Sequence, residues 1–288
     1  MILTALAGTD TLPGHLDDPD WIVFDCRHDL ASPERGRAEY AQSHIPGARF
    51  LHLDEDLSAP KTGKNGRHPL PDPERLAEKL GHAGVDSRKQ VIAYDAQGGM
   101  VAARLWWLLR WLGHLPVAVL DGGWNQWVAE GRPQTSEFPQ PRAARFEGRT
   151  RNDCWVGPHF VREHLGDETT VLIDARAPDR FRGQNETIDP VAGRIPYARN
   201  RPYRDNLDAS GRFKTPEALN AEFKAILGRT GPRQAVNYCG SGVSACHNLL
   251  AMEVAGLPGA RLYPGSWSEW SADPSRPIAS GEQRRGER

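Results

Sequence analysis

Residues 236–245 read Val-Asn-Tyr-Cys-Gly-Ser-Gly-Val-Ser-Ala, and their types and spacing are those of a reactive thiol. An apolar run stops at Cys239, two glycines follow within three residues, and a helix-like segment runs from Cys246 to Val254. A strand that ends on a cysteine and turns through Gly-x-Gly into a helix N-terminus gathers backbone N–H groups around the sulfur. Such a bowl favours an anion, so the thiolate becomes available as a nucleophile. A bare cysteine at a strand end is more often a buried structural residue. Here the glycines and the strand–loop–helix context argue for the nucleophile.

The elements that position this loop can be traced through a repeat. Ile22-Val-Phe-Asp25-Cys-Arg27 corresponds to Val171-Leu-Ile-Asp174-Ala-Arg176, and His44-Ile-Pro-Gly-Ala48 to Arg194-Ile-Pro-Tyr-Ala198. Val91-Ile-Ala-Tyr-Asp95 corresponds to Ala235-Val-Asn-Tyr-Cys239, with Gly98 and Ala102 matching Gly242 and Cys246; Asp121-Gly-Gly-Trp124 corresponds to Pro264-Gly-Ser-Trp267. Four matches in one order at nearly constant offset imply a tandem duplication. Each half carries short apolar strand candidates, Trp21–Asp25, Val91–Tyr94 and Val117–Leu120, then Val171–Asp174, Ala235–Tyr238 and Ala260–Tyr263. They alternate with helix-like segments at Pro73–Leu80, Val101–Leu112, Pro216–Leu227 and Cys246–Ala255. This alternation predicts an α/β fold with two mainly parallel sheets flanked by helices, whose ligand sites lie beyond the strand C-termini, where Cys239 falls. The expected division is an N-terminal domain over 1–140, a linker over 141–150 and a C-terminal domain over 151–288. Within the linker region Pro139, Pro141 and several arginines break the pattern, and residues after about Pro277 read as a loose polar tail. The helix around Trp106, Trp107 and Trp111 is apolar nearly all round and reads as packing.

Composition limits the alternatives. The 288 residues suffice for two ordinary domains, and 39% hydrophobic with 25% charged residues describe a globular chain. A formal net charge of −1 provides no global field for nucleic acid or an anionic membrane, and Lys61, Lys64 and Arg67 read as a solvated loop. Four cysteines, Cys26, Cys154, Cys239 and Cys246, show no Cys-x-x-Cys spacing, so no metal site is expected. No secretory signal and no apolar run near the ~20 residues of a membrane span is evident, and a reducing cytoplasm is the expected location.

With its context, Cys-Gly-Ser-Gly-Val-Ser resembles the active-site loop of the two-domain rhodanese superfamily, and most closely that of its 3-mercaptopyruvate sulfurtransferases, which usually have Thr at the place of Ser244. Thiosulfate-type members usually carry basic residues where Gly240 and Ser241 stand. The resemblance covers nearly the whole chain and implies an inactive N-terminal copy, which here has Asp95 in the cysteine position and so cannot attack sulfur. It implies Cys239 as a nucleophile cycling through a persulfide, with Gly240, Gly242, Val243 and Ser244 forming the loop that binds the donor. It also implies a relay of Ser241 with His68, which begins His68-Pro-Leu-Pro71, and with Asp54, which ends Ala48-Arg-Phe-Leu-His-Leu-Asp54. A histidine with an unperturbed pKa near physiological pH suits proton transfer in such a relay. The segment Asp174-Ala-Arg176-Ala-Pro-Asp-Arg180-Phe resembles the family's substrate arginine segment, which assigns Arg180 to the donor carboxylate. Asp174 and Arg176 recur as Asp25 and Arg27, which marks them as structural. A second substrate arginine, nine residues after the first in the better-known enzymes, is replaced by Asp189, and Arg182 or Arg194 is the expected substitute.

The resulting expectation is a sulfurtransferase that needs no cofactor. It takes sulfur from 3-mercaptopyruvate to cyanide, a small thiol or a thioredoxin-like protein, with neither nucleic acid nor membrane as partner. A thiosulfate:cyanide sulfurtransferase is the nearest alternative, and a non-enzymatic persulfide carrier a further one. A Cys-x5-Arg phosphatase is disfavoured because Ala245 stands where its arginine is needed.

Overall fold

A computed structural model describes residues 2–282 of the chain. The backbone divides into two compact units. The first comprises residues up to Ala59, Pro71–Arg151 and Asp208–Phe213; the second comprises Pro60–Leu70, Asn152–Leu207 and the chain from Lys214 onward. The segment Pro60–Leu70 thus leaves the first copy in sequence and packs with the second.

In the first unit the strands are β1 (Leu6–Ala7), β2 (Trp21–Asp25), β3 (Arg49–Phe50), β4 (Gln90–Tyr94) and β5 (Val117–Leu120), and the helices α1 (Arg35–Gln42), α2 (Pro73–His82), α3 (Ala102–Trp111) and α4 (Gly123–Ala129). The sheet order is β1-β5-β4-β2-β3, parallel throughout. Strand β4 is buried at every position, as a central parallel strand covered on both faces must be. Asp72 caps α2 by accepting from the N–H groups of Glu74 and Arg75, and Pro73 occupies the first turn, where its missing donor costs nothing. Helix α3 buries Trp106, Trp107 and Trp111 in this unit, as its apolar girth predicts.

The second unit contains β6 (Val171–Asp174), β7 (Arg199–Asn200), β8 (Ala235–Tyr238) and β9 (Arg261–Leu262), with α5 (Pro158–Glu163), α6 (Pro178–Phe181), α7 (Pro216–Leu227), α8 (Ser244–Val254) and α9 (Ser266–Trp270). Its parallel order β7-β6-β8-β9 reproduces β3-β2-β4-β5, and the counterpart of β1 shrinks to one parallel bridge, Trp155 to Leu262. Its core joins Leu172, Val236 and Tyr238 of the sheet to Phe181, Trp267 and Trp270 of the helices.

The same polar hub stands behind both sheets. Arg27 binds the Asp25 carboxylate through Nε and Nη2, donates to Ser43 O at 2.6 Å and lies 4.4 Å over Trp124. Arg176 binds Asp174 in the same fork, donates to Gly193 O at 2.8 Å and lies 5.0 Å over Trp267. The Tyr94 and Tyr238 hydroxyls accept from the N–H groups of Ile45 and Ile195. Buried, bidentate and duplicated, these pairs hold the strand ends; removing one partner of such a pair costs ~3–5 kcal/mol.

Two sequence expectations change. Helix α8 starts at Ser244, two residues before Cys246, because Val243 already has right-handed helical backbone (φ −90°, ψ −67°) and neither Ser244 nor Ala245 opposes continuation. The loose tail after Pro277 is tethered as far as Glu282: Ala279 bridges Arg194, and the Gly281 N–H donates to Arg182 O at 2.8 Å. The remainder of that tail, 283–288, lies outside the described residues.

Candidate active site

Cys239 directly follows β8 and is buried. Its backbone is fixed from two sides. Its N–H donates to Ser266 Oγ at 3.1 Å, and its carbonyl accepts from Trp267 N at 3.0 Å. Ser266 is itself held in left-handed backbone at φ 56°, with its hydroxyl donating to Tyr263 O at 2.9 Å. A non-glycine residue in that conformation carries strain that the surrounding contacts must offset, a pattern concentrated at functional sites. The first copy uses Gly123, φ 55°, at the same place.

The loop turns its amides toward the sulfur. Ser241 N and Gly242 N lie 3.4 and 3.1 Å from Cys239 Sγ. Gly242 has φ 78°, and a Cβ there would stand 2.3 Å from Pro264 O, so the turn admits no side chain. Val243 is buried at the entry to α8, and Ser244 is its first, partly buried residue. Cys246 Sγ donates to Gly242 O at 3.2 Å, bracing the turn from the helix side. All four cysteines are thiols. Cys26, by contrast, faces an environment that makes it inert: burial, and then the negative charges of Asp25 and Asp95, push its thiol up.

While the Ser241 amide faces the sulfur, its hydroxyl shares a 2.7 Å hydrogen bond with His68 Nδ1, and both residues are buried. The structure therefore brings together Cys239, Ser241 and His68 in one unit. Asp54 belongs to the first unit, where its carboxylate lies 3.8 Å from His28 Nε2 and its N–H donates to His52 Nδ1 at 3.2 Å. His28, His52 and Asp54 could gather around a cation. The His52 nitrogens are occupied, however, Nδ1 by the Asp54 and Glu55 amides and Nε2 at 3.1 Å from Pro33 O, so the group is read as a hydrogen-bonded turn.

The cations around the loop differ from expectation. Arg180, on α6, lies beside the loop, its Nη2 3.6 Å from where a Cβ on Gly240 would be. Arg180 is held by Glu186 (Nε to Oε2, 3.0 Å; Nη2 to Oε1, 2.9 Å) and by Asp189 at 3.1 Å. Arg182 instead pairs with Gln184 and Glu282, while buried Arg194 donates to Gly281 O and lies over Phe181. The second guanidinium at the loop belongs to Arg67, whose Nη2 stands 2.6 Å from that same Gly240 Cβ position. Arg67 is half-buried, pairs with Asp189 through Nη1, and donates its backbone N–H to Ser268 Oγ at 3.0 Å. Reading it as solvated is thus corrected. The available signal was Gly66 beside it, whose φ of 83° and close approach to Gly265 O mark a segment docked against α9. Burial pushes the Asp189 carboxyl up, opposed by Arg67 and Arg180; burial also acts on Glu186, but its bonds to Arg180 and to backbone amides prevail and hold it down.

This arrangement, a strand-end thiol in an amide bowl repeated without the thiol in the other copy, defines a family. Residues 9–130 and again 158–273 match the rhodanese-like domain, and the chain belongs to that family. It is 47% identical to a protein of Pseudomonas aeruginosa described as a probable 3-mercaptopyruvate sulfurtransferase, over 94% of this chain and 96% of that one. It is 33% identical to the thiosulfate sulfurtransferase of Bos taurus, over 92% and 90% of the two chains. Among solved structures, SseA from Escherichia coli, described with the 3-mercaptopyruvate sulfotransferases, superposes with a TM-score of 0.80 at 31% identity, covering 92% of this chain and 99% of that one.

Proposed function

We propose that the protein is a sulfurtransferase that moves a sulfane sulfur from 3-mercaptopyruvate through a Cys239 persulfide to a thiol, cyanide or thioredoxin-like acceptor. The observation that carries this reading is a sulfur faced by two amide donors, one of them that of Ser241, whose hydroxyl is bonded to His68. The Cys239 thiolate attacks the donor's sulfur, forming an S–S bond. The donor's C–S bond breaks, and its electron pair leaves on carbon as the enolate of pyruvate, which is then protonated. In this reading Ser241 and His68, which share a hydrogen bond, move that proton. The family resemblance adds Asp54 to the relay. Gly240, Gly242, Val243 and Ser244 line the donor's path, and Arg180 takes its carboxylate. The amide bowl then stabilises the terminal persulfide anion until the acceptor removes the outer sulfur.

In this reading the N-terminal copy, 1–140, is catalytically silent because Asp95 offers no sulfur, and 151–288 holds the nucleophile. No organic cofactor or metal is needed for these steps. Four thiols suit a reducing cytoplasm, and among the described residues no helix is long and apolar enough to cross a membrane. The deciding experiment is steady-state turnover of 3-mercaptopyruvate and of thiosulfate side by side, with cyanide as common acceptor. A higher kcat/KM for 3-mercaptopyruvate is expected. A higher value for thiosulfate would favour the second reading, a thiosulfate sulfurtransferase, which the pair of guanidiniums beside Gly240 supports.

A further inference from the structure

Two arginines and two carboxylates meet at the mouth of the loop, where Glu186 holds Arg180 alone and Asp189 touches both arginines. Asp189 lies between Arg67 and Arg180, accepting from Arg67 Nη1 at Oδ1 and from Arg180 Nη2 at Oδ2. Its side chain is 2% exposed, while those of Arg67 and Arg180 are 24% and 18% exposed, so the carboxylate is the inner partner and the guanidiniums the outer. Arg67 is not a wandering surface chain. Ser268 Oγ holds its N–H, the Ser268 N–H in turn donates to Gly240 O at 2.9 Å, and Gly66 fits closely against Gly265. One hydroxyl residue thereby ties the Arg67 backbone to the residue after the nucleophile.

We propose that Arg67 is the second donor-binding cation of this site, and that Asp189 is a built-in competitor which the carboxylate of the incoming donor displaces. This rests on the sulfurtransferase reading for the donor's identity, though not for the geometry. An anion bridging two guanidiniums is a charge-assisted arrangement; Asp189 does this with one N–H from each, while Glu186 keeps the Nε–Nη2 fork of Arg180. A donor with a carboxylate near its sulfur supplies the guanidiniums with a replacement anion, and the displaced Asp189, whose carboxyl burial pushes up, takes a proton. A donor without one must leave Asp189 in place or bury unpaired charge. The selection therefore falls on small anionic donors, and within them on those whose anionic group reaches past Gly240 while the sulfur faces Cys239.

The test has two parts on the full-length chain. The first measures alkylation of Cys239, located by peptide mass, with iodoacetate and with its neutral counterpart iodoacetamide. Arg67→Gln should lower the iodoacetate-to-iodoacetamide rate ratio by ~10-fold, Arg67→Lys should restore part of it, and Asp189→Asn should raise it by ~3-fold, as expected for charged hydrogen bonds. An unchanged ratio in Arg67→Gln overturns the role of Arg67. A fall in Asp189→Asn as large as that in Arg67→Gln overturns the competitor role, because Asp189 would then be holding Arg67 in position. The second part measures KM and kcat for 3-mercaptopyruvate. Arg67→Gln should raise KM ~10-fold and leave kcat within ~3-fold. If the unaltered protein ignores 3-mercaptopyruvate, the functional reading fails, while the alkylation ratios still decide on Arg67. Thermal melting of each variant, and the Arg67→Lys rescue, separate these effects from misfolding.

Discussion

The loops after β4 and β8 begin at equivalent positions and put their backbone amides to opposite uses. After β4, Asp95 turns its carboxylate back into its own loop. Oδ1 accepts from Gln97 and Gly99 at 2.7 and 2.8 Å, and Oδ2 from Val101 and Ala102 at 2.7 and 2.9 Å. Burial pushes this carboxyl up, and the four amides offset that only in part. After β8, Cys239 reaches only as far as its Sγ, which meets two amides, and α8 begins at Ser244, whereas α3 begins only at Ala102. An aspartate oxygen and the outer sulfur of a cysteine persulfide are each two bonds beyond Cβ. The first copy thus carries, as a side chain, a group of the reach that a persulfide on Cys239 would have in the second copy. One loop uses its dipoles for stability and the other keeps them available for chemistry.

Exchanging the two kinds of damage is the sharpest way to break this contrast. Cys239→Ser should reduce turnover by ~10³-fold or more and leave the unfolding midpoint essentially unchanged, because a serine oxygen can hold no persulfide. Retained turnover in that variant would end the reading. Gly242→Ala should come next, at ~10²-fold in kcat/KM, since its Cβ would push the turn off Pro264 O and misplace the amides. His68→Gln should lower kcat by a similar ~10²-fold, with a lost or flattened pH dependence of kcat. Asp95→Ala should reverse the pattern of Cys239→Ser, with turnover near normal and denaturant unfolding of the first unit easier by about 3 kcal/mol, as its buried amides lose their acceptor. An undisturbed midpoint would mean that the first loop is not anchored by its carboxyl. The smallest effect expected is a gain of about 1 kcal/mol when Cys239 is loaded with sulfur in the absence of acceptor, read as a shift in melting.

The repeat and the strands were legible because burial on both faces leaves uninterrupted apolar runs; Trp21–Asp25, Val117–Leu120, Val171–Asp174 and Ala235–Tyr238 are observed residue for residue. The thiol loop could be read because glycine records backbone demands in the sequence itself. Ser266 could not, since a serine in left-handed backbone runs against its own preference and only the contacts with Cys239 and Tyr263 explain it. Arg67 was hidden for another reason: its partner Asp189 lies 122 residues away, and a lysine-bearing exposed stretch precedes it. The tether at Ala279 is a single bridge, too short to leave any periodicity.

The excursion of Pro60–Leu70 into the second unit has a consequence for any attempt to take the molecule apart. A cut between 138 and 150, where neither helix nor strand is interrupted, looks harmless on the chain. The C-terminal piece would keep Cys239, Ser241 and Arg180, but His68 and Arg67 would stay on the other fragment. Gene halves expressed separately should therefore behave as complementing parts, neither competent alone. Neither half is a self-contained copy: the N-terminal stretch of chain gives the eleven residues Pro60–Leu70 to the second unit.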